Sequence, residues 1–324
     1  MRKTKLGRTG IDVSPIAFGT WQLGGDWGSF DESAAIEAIR HARELGINFF
    51  DTAQGYGFGA SERLLGRALR EELDNRREEV VIATKGGLRP TDDGLVRDSS
   101  PAWLRAGVDA SLQALGTDYI DVYQVHWPDP DTPFAETAGT LGELVADGKI
   151  RHVGVSNFDA PQMDEFSRTQ PVETLQPPYH LFRREIEADV LPYAREHDIG
   201  VLVYGPLAHG LLTGTMSAET TFAADDWRSR SPLFRGEEFR RNLEKVAELS
   251  SFAAERGSTV AELAVAWTLA DPAVQVAIVG TRQPRHIEHA VAAADLELDA
   301  DDLTRIERIM AGAVAVAGPS PEAV

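Results

Sequence analysis

The chain has 324 residues, 43% of them hydrophobic, and none of its apolar runs approaches the ~18 residues that a membrane span requires. Its net charge of −19 disfavours sequence-independent nucleic-acid binding, which needs clustered Lys and Arg. The absence of cysteine excludes disulfides and thiolate sites, and the N-terminus lacks a secretory signal, so we expect a cytoplasmic protein. The lysine-poor, acid-rich balance would also suit a high-salt habitat, although nucleotide composition explains it equally well.

Apolar strands alternate with amphipathic helices along the chain. Residues 2–13 predict a β-hairpin, and residues 14–21 predict a first buried strand. Residues 31–46 predict a helix, because apolar positions recur at helical spacing between an acidic start and Gly46. Later strands are predicted at 47–51, 80–85, 120–126, 150–156, 173–176, 200–205 and 274–280, and later helices at 61–73, 101–115, 134–148, 162–168 and 188–197.

Eight continuously apolar strands, most of them followed by a helix, predict a (β/α)8 TIM barrel that forms a single domain over residues 1–324. A doubly wound open sheet is the alternative, and it is disfavoured because no GxGxxG turn follows the first strand. Residues 205–241 predict a long lid loop after the seventh strand, too rich in Gly, Pro and Arg for a plain helix. Residues 311–324 predict a poorly ordered tail.

Four polar side chains stand at or just beyond the ends of three consecutive strands. Asp51, Lys85 and His126 each end a predicted strand, and Tyr56 follows Asp51 beyond the flexible Gly55. Each residue alone has an ordinary structural explanation: a helix cap, a packed aromatic ring or a core hydrogen bond. Because catalytic groups of such barrels project from the carboxyl ends of several strands, their joint occurrence there predicts an active site.

These four groups suit the reduction of a carbonyl by hydride. Negative charge grows on the carbonyl oxygen as hydride arrives, so a donor must stabilise and then protonate that oxygen. Tyr56 can be this donor if Lys85 lowers the pKa of its phenol from the usual ~10, with Asp51 orienting the lysine. His126 could place the carbonyl or relay the proton. A metal site is not expected, because the sequence has no HxH or HExxH pattern.

Several longer motifs strengthen this interpretation. The segments DTAQGYG, ATKGG, HWPDP, GKIRHVGVSNF and GPLAHGLLTG closely resemble the aldo-keto reductase superfamily, in order and in spacing, over nearly the whole chain. The resemblance implies a (β/α)8 barrel that binds NAD(P)H in extended form without a Rossmann fold. It also places the family's catalytic tetrad on Asp51, Tyr56, Lys85 and His126, in agreement with the roles argued from chemistry.

The resemblance further implies a cofactor site. Ser156, Asn157 and Gln176 would hold the nicotinamide carboxamide, and Tyr204 would stack on the ring; without the resemblance Asn157 and Tyr204 would be a turn residue and a core aromatic. Other cofactor contacts are expected from residues in the loops after the first, second, seventh and eighth strands, namely Thr20, Trp21, Asp51, Gly205, Pro206, Leu207, Gly210, Gly280, Thr281, Arg282 and His286.

The adenosine end of that site bears on cofactor choice. Thr281 and Arg282 stand where many relatives bind the 2′-phosphate, so NADP is expected, with NAD as the alternative; Arg282 could equally be an ordinary surface arginine. The chain departs from its relatives in having His289 and Ala290 where Glu-Asn is common, and Thr215 where Lys is common. These departures weaken the expectation of NADP over NAD and leave the tetrad untouched.

The substrate is expected to be a small carbonyl compound or alcohol. Trp21 and Trp127 are the expected walls of its pocket, and the further candidates are Trp27, Phe58, Phe158 and Trp227. Two rival functions stay open: a nucleotide-sensing regulatory subunit, which the intact tetrad disfavours, and a barrel hydrolase, for which the sequence shows no nucleophile or metal site. The sequence leaves the oligomeric state and the natural substrate undetermined.

Overall fold

The computed structural model describes residues 1–25, 28–92 and 94–318. The strands are β1 (Thr4–Lys5), β2 (Asp12–Val13), β3 (Ile16–Gly19), β4 (Phe49–Asp51), β5 (Val81–Gly86), β6 (Leu88–Thr91), β7 (Gly94–Arg97), β8 (Ile120–Val125), β9 (Ile150–Ser156), β10 (Thr174–Gln176), β11 (Gly200–Tyr204) and β12 (Val274–Gly280). Eight parallel strands close into a barrel in the order β3-β4-β5-β8-β9-β10-β11-β12, which confirms the predicted (β/α)8 fold. The ring closes because β12 pairs with β3, placing Ala277 opposite Ile16.

The barrel strands are buried on both faces. Side chains alternate along a strand, so Phe49 and Val81 point into the barrel, whereas Phe50 and Ile82 point outward against the helices. The inward residues form a compact inner core with Ala17, Val122, Leu202 and Val276. Burial on both faces explains why these strands read as continuous apolar runs rather than alternating ones.

The helices cover the outside of this ring. Their starts carry the expected caps: the Asp31 carboxylate accepts from the backbone N–H groups of Ser33 and Ala34, and Asp159, Thr259 and Asp299 form capping boxes. The helices are α1 (Glu32–Glu44), α2 (Ala60–Ala68), α3 (Arg70–Asn75), α4 (Pro101–Leu115), α5 (Phe134–Ala146), α6 (Ala160–Ser167), α7 (Val190–Glu196), α8 (Gly236–Glu255), α9 (Val260–Ala270), α10 (Pro284–Ala293) and α11 (Ala300–Met310).

One predicted helix is divided in the structure. The segment predicted as one helix over 61–73 forms α2 and α3, because the backbone of Leu69 leaves the helical region (φ −98°, ψ 19°).

Among residues 1–25, 28–92 and 94–318, the structure has no helix long and apolar enough to cross a membrane.

The N-terminal hairpin, residues 4–13, closes the amino-terminal end of the barrel, and we call it the N-terminal plug. β1 and β2 pair antiparallel, as predicted, and the fully buried Leu6 between them packs on the inner core with Ile11 and Val13. A side chain at Gly200 would collide with Leu6, since an added Cβ would lie 2.8 Å from its Cγ. The plug therefore requires glycine at the start of β11.

A second hairpin, β6 and β7, was not predicted. It pairs antiparallel immediately after β5, with Leu88 opposite Arg97 and Thr91 opposite Gly94. It projects beyond the carboxyl ends of the strands, so its residues become part of the barrel mouth.

The loop after the seventh barrel strand, β11, is long but shorter than predicted. It contains 3₁₀ turns at Ala208–Thr213, Trp227–Ser229 and Pro232–Phe234, and α8 begins at Gly236, so the predicted boundary at residue 241 is wrong. The Gly- and Arg-rich composition concealed the first turns of an amphipathic helix whose buried face includes Phe239 and Asn242.

Residues 311–318, which follow α11, pack on the barrel. The Asn242 side chain bonds the backbone of Val314 in both directions at 2.9 Å, and the N–H of Val316 donates to the carbonyl of Phe182 at 3.0 Å. Residues 311–318 belong to the tail that was expected to be poorly ordered, but these hydrogen bonds to Asn242 of α8 and to Phe182 hold them against the barrel. Residues 319–324 and Trp27 lie outside the described residues.

Candidate active site

Polar residues occupy the last inward-facing positions of several barrel strands. Along β4 the inward positions are Phe49 and Asp51, and along β5 the last two are Ala83 and Lys85. Since alternate residues share a face, β4 and β5 each carry an apolar side chain in the inner core and a polar side chain at the mouth. The same pattern places Gln176 at the end of β10 and Tyr204 at the end of β11.

Lys85 is the centre of the candidate site. Its Nζ donates to Asp51 Oδ1 at 2.7 Å, to the carbonyl of Thr52 at 2.8 Å and to the Tyr56 hydroxyl at 3.4 Å. Three acceptors match the three donors of an ammonium group. Burial lowers the pKa of Lys85 and raises that of Asp51 from their ordinary values, and the attraction between them opposes both shifts.

The carboxylate of Asp51 is fixed from its other side. Its Oδ2 accepts from Gln176 Nε2 at 2.8 Å, so both carboxylate oxygens are bound within a residue only 2% exposed. The Asp51 backbone carbonyl also receives the N–H of Thr20 at 3.0 Å, which links it to the loop after β3. The arrangement orients Lys85 toward Tyr56.

His126 faces the phenol from across the mouth. Its ring meets the Tyr56 ring edge-on, with centroids 5.7 Å apart and an angle of 79° between planes. Burial, with the nearby Lys85 ammonium, holds the pKa of His126 well below its ordinary value, so the imidazole is neutral at neutral pH. Its Nδ1 is buried without a hydrogen-bond partner in the described structure.

Asn157 joins this group to the next strands. Its amide donates to the His126 carbonyl at 3.0 Å and accepts from the Tyr204 hydroxyl at 2.9 Å, and Ser156 donates to the Gln176 carbonyl at 2.8 Å. Asn157 has φ +61°, a left-handed conformation that asparagine tolerates better than most residues. Asn157 also donates to the Ser156 hydroxyl at 3.1 Å, so hydrogen bonds connect His126, Ser156, Asn157, Gln176 and Tyr204 into one network.

A cleft of about 270 Å³ opens over this network at the carboxyl ends of the strands. Every member of the predicted cofactor set lines it except three, and both predicted substrate residues line it too. The predicted residues found there are Thr20, Trp21, Asp51, Tyr56, His126, Trp127, Ser156, Asn157, Gln176, Tyr204, Gly205, Pro206, Leu207, Gly210 and Gly280. Lys85 lies beneath the lining and reaches it through Tyr56.

The three exceptions lie beyond Gly280: Thr281 and Arg282 are in the loop after β12, and His286 is in the first turn of α10. The Thr281 hydroxyl lies 3.4 Å from His286 Nδ1, and an Arg282 nitrogen donates to the Ser29 carbonyl at 3.3 Å. This loop therefore continues from the edge of the cleft toward the segment after β3.

The aromatic candidates fall into distinct places. Trp21 stacks near Tyr56 with centroids 6.4 Å apart, and the Arg97 guanidinium lies over the Trp127 ring. Phe158 is instead a core residue, packed against Phe134 and Phe166. Trp227 packs in the lid loop against His209, and Phe58 lines a different cavity.

Several lining residues were not identified from the sequence: Gly19, Gln22, Gly55, Leu88, Leu95, His209, Thr213, Arg228, Ile278, Val279 and Gly318. Leu88 and Leu95 had a local signal, because a DDG turn between two short extended runs is typical of a hairpin. Arg228 and Gly318 had none, since tertiary contacts bring them to the cleft. Across residues 1–25, 28–92 and 94–318, no group of three or more His, Asp or Glu could hold a metal ion.

Comparisons with known proteins agree with this geometry. The chain is 44% identical to "Aldo-keto reductase YhdN" of Bacillus subtilis, over 96% of this chain and 94% of that one. It is 36% identical to the "NADH-specific methylglyoxal reductase" of Escherichia coli, over 94% and 97%. Among solved structures, the glycerol dehydrogenase AKR11B4 from Gluconobacter oxydans superposes with a TM-score of 0.86 at 40% identity, covering 96% and 95%. The model of the aldo/keto reductase family matches residues 15–311, and this chain therefore belongs to that family.

Proposed function

We propose that this protein is a cytoplasmic, NAD(P)H-dependent oxidoreductase that interconverts an aldehyde, ketone or sugar with its alcohol. Family membership supports carbonyl and alcohol chemistry in general. The observation that carries the proposal for this chain is the position of the Lys85 ammonium, bound to Asp51 and within 3.4 Å of the Tyr56 hydroxyl at the floor of the cleft.

The roles follow from the geometry. When bound, the nicotinamide cofactor supplies the hydride. Tyr56 holds the proton that neutralises the developing alkoxide, and the Lys85 ammonium stabilises the phenolate that remains. Asp51, fixed by Gln176, keeps the lysine charged and oriented. The neutral imidazole of His126 can hydrogen bond to the carbonyl oxygen beside Tyr56 without itself competing as the acid.

The residues of the cleft suit a nicotinamide dinucleotide. Tyr204 offers an aromatic face, and the amides of Asn157 and Gln176 lie beside it. Gly205 has φ +69° and an added Cβ would meet nothing within 4 Å, so its backbone borders open space that a phosphate oxygen can approach. We propose NADP as the preferred cofactor, with Thr281 and Arg282 binding the 2′-phosphate; the name of the NADH-specific relative makes NAD the alternative.

The test combines binding with turnover. Protein fluorescence would follow titration with NADPH and NADH, and NADPH oxidation would be measured with a panel of simple aldehydes. The Tyr56→Phe variant should keep cofactor binding and lose at least ~100-fold in kcat, because it removes the proton donor alone. Tyr193→Phe is the matched control, since that ring stacks on His197 of the same helix end, outside the cleft, and the substitution should leave kcat unchanged.

Three outcomes separate the functions. Turnover that collapses only in Tyr56→Phe supports the reductase. Tight cofactor binding without turnover of any aldehyde in the wild type would favour the nucleotide-sensing subunit. Failure to bind either nucleotide would overturn both.

A further inference from the structure

A second cavity lies outside the barrel wall, on the far side of the segment that carries Tyr56. It is bounded by the loop after β4, by α2 and by α4. Its lining is Gln54, Phe58, Gly59, Glu62, Arg63, Ala110, Gln113 and Ala114. The segment from Gln54 to Gly59 therefore separates the two cavities, with Tyr56 facing the cleft and Phe58 facing the second cavity.

Four buried oxygens converge behind this cavity: Gln54 Oε1, Glu62 Oε2, Ser111 Oγ and the Tyr123 hydroxyl. Those of Gln54 and Tyr123 have no hydrogen-bond partner in the described structure, whereas the Ser111 hydroxyl interacts with Glu62. A Cβ added to Gly107 of α4 would lie 3.1 Å from the Gln54 oxygen and 3.2 Å from the Tyr123 oxygen. Both oxygens therefore lie next to Gly107. Ser111 is one helical turn further along that face, and its hydroxyl faces the Glu62 carboxyl.

Unpartnered polar atoms in a protein interior are costly, and they are normally satisfied by ordered water when the protein offers no partner. A water needs two to four polar partners and enough room, and this site offers four oxygens next to a cavity. The cluster therefore meets both requirements for bound water, polar partners and room.

Glu62 connects the cluster to the candidate active site. Its Oε1 accepts from the Thr84 hydroxyl at 2.7 Å, and Thr84 precedes Lys85 on β5. Because adjacent strand residues point to opposite faces, Thr84 reaches outward to Glu62 while Lys85 reaches inward to Tyr56. Burial raises the pKa of Glu62, and the hydroxyls of Thr84 and Ser111 and the charges of Arg63 and Lys85 oppose that rise. When ionised, Glu62 supports the charged form of Lys85, as Asp51 does from within the barrel.

Gln54, whose side chain belongs to this cluster, also fixes the backbone segment that carries Tyr56. The Gln54 N–H donates to the Lys85 carbonyl at 3.0 Å, and the Gln54 carbonyl accepts the N–H of Gly59 at 3.1 Å. Gly57 and Gly59 adopt their positive φ values, 63° and 89°, without strain, but Phe58 between them has φ +44°, which is unfavourable for a residue with a side chain. Contacts of the surrounding loop must therefore maintain the conformation of Phe58.

We propose that Glu62 is a positioning residue for proton transfer: through Thr84 and a bound water cluster behind the barrel wall, its carboxylate sustains the charge on Lys85 and the placement of Tyr56. This inference rests on the proposed reductase function. The charged and titratable groups facing Glu62 are Arg63 on its own helix, Lys85 on β5 and Tyr123 on β8, and α4 presents the uncharged Ser111.

Glu62→Gln tests the charge, because the amide is nearly isosteric and its oxygen can still accept from Thr84. Loss of the negative charge should make the Lys85 ammonium easier to deprotonate and the phenolate easier to form. In a plot of kcat for aldehyde reduction against pH, the decline at alkaline pH should then move to lower pH by about one unit. The affinity for NADPH should be unchanged. Glu37→Gln is the matched control, since Glu37 is exposed on α1, and its profile should equal that of the wild type.

The design distinguishes this inference from the proposed function. If the wild type reduces aldehydes and Glu62→Gln has the same pH profile of kcat, the proposed role of the Glu62 charge is refuted, while the reductase function is supported. If the wild type has no turnover, the proposed reductase function itself is refuted. Should Glu62→Gln not fold, Thr84→Val, which removes the hydroxyl bound to Glu62, should shift the decline at alkaline pH in the same direction, and Thr84→Ser should restore it. A crystal structure with no water within ~3.2 Å of any of the four oxygens would refute the water cluster.

Discussion

The buried ion pair between Asp51 and Lys85 should be strongly coupled in stability. We consider Asp51→Asn and Lys85→Met, singly and together. In Asp51→Asn the Lys85 ammonium stays buried with a neutral partner. The new Nδ2 amide group takes the place of Oδ2, which in the wild type accepts from the Gln176 amide, so two donors face each other. In Lys85→Met the carboxylate stays buried with Gln176 alone.

The magnitude follows from the contact. At the 2.7 Å separation, Coulomb's law gives about 6 kcal/mol of attraction at an effective dielectric constant of ~20, and desolvation of the two charges offsets much of it. Removing one partner of a buried pair commonly costs about 3–5 kcal/mol, so each single variant should lose about 4 kcal/mol of unfolding free energy. The double variant should lose about as much as either single one, which gives a coupling energy near 4 kcal/mol.

The assay is urea unfolding at pH 7, followed by fluorescence and by circular dichroism, whose transitions must coincide for a two-state treatment. The control is the pair of Lys5 and Asp12, 3.0 Å apart, whose side chains are 63% and 57% exposed; its cycle should give a coupling below about 1 kcal/mol. Single-variant losses at Asp51 and Lys85 that add within ~0.5 kcal/mol would refute the reasoning.

Three further predictions concern other regions. Burial lowers the pKa of His209 to about 4 from 6.5, so its contribution to stability is present above pH 6.5 and is lost as pH falls toward 4; between pH 7.5 and 5 the wild type should lose about 2 kcal/mol more unfolding free energy than His209→Gln, and equal losses would contradict this. Gly66→Ala on α2 should cost more than ~2 kcal/mol because its Cβ would lie 2.3 Å from the Leu115 carbonyl oxygen, whereas Gly139→Ala on α5 meets only a side-chain carbon at 3.9 Å and should be neutral or stabilising in thermal melts. Arg282→Ala should weaken NADPH binding about tenfold and spare NADH, as measured by fluorescence titration; equal effects on both nucleotides would remove Arg282 from 2′-phosphate recognition.

The barrel could be predicted because its information is local. Each strand buried on both faces leaves a continuous apolar run, and each helix carries its own cap, as Asp31 and Asp159 do. The polar residues at strand ends were recognisable for the same reason: Asp51 and Lys85 interrupt runs that are otherwise apolar.

Long-range features were harder to predict. Glu62 reads as an ordinary polar helix residue, and only the packing of α2 on β5 reveals that it is buried beside Thr84. Residues that reach the cleft through the lid loop or the C-terminal segment, such as Arg228 and Gly318, depend on where those segments cross the mouth. A short alternating run such as 88–97 is also easily taken for a loop, since two short strands give little periodicity.

The N-terminal plug has a consequence for the order in which the molecule is made. Arg8 bonds the carbonyls of His197 and Asp198, so the plug rests on a surface that the ribosome delivers 189 residues later. At elongation rates of ~5–20 residues per second, that interval lasts roughly 10 to 40 seconds. During it, Leu6, Ile11 and Val13 have no inner core to enter. These three apolar side chains stand among Lys3, Lys5, Arg8 and Asp12, and such charged neighbours lower the tendency of a waiting apolar segment to aggregate.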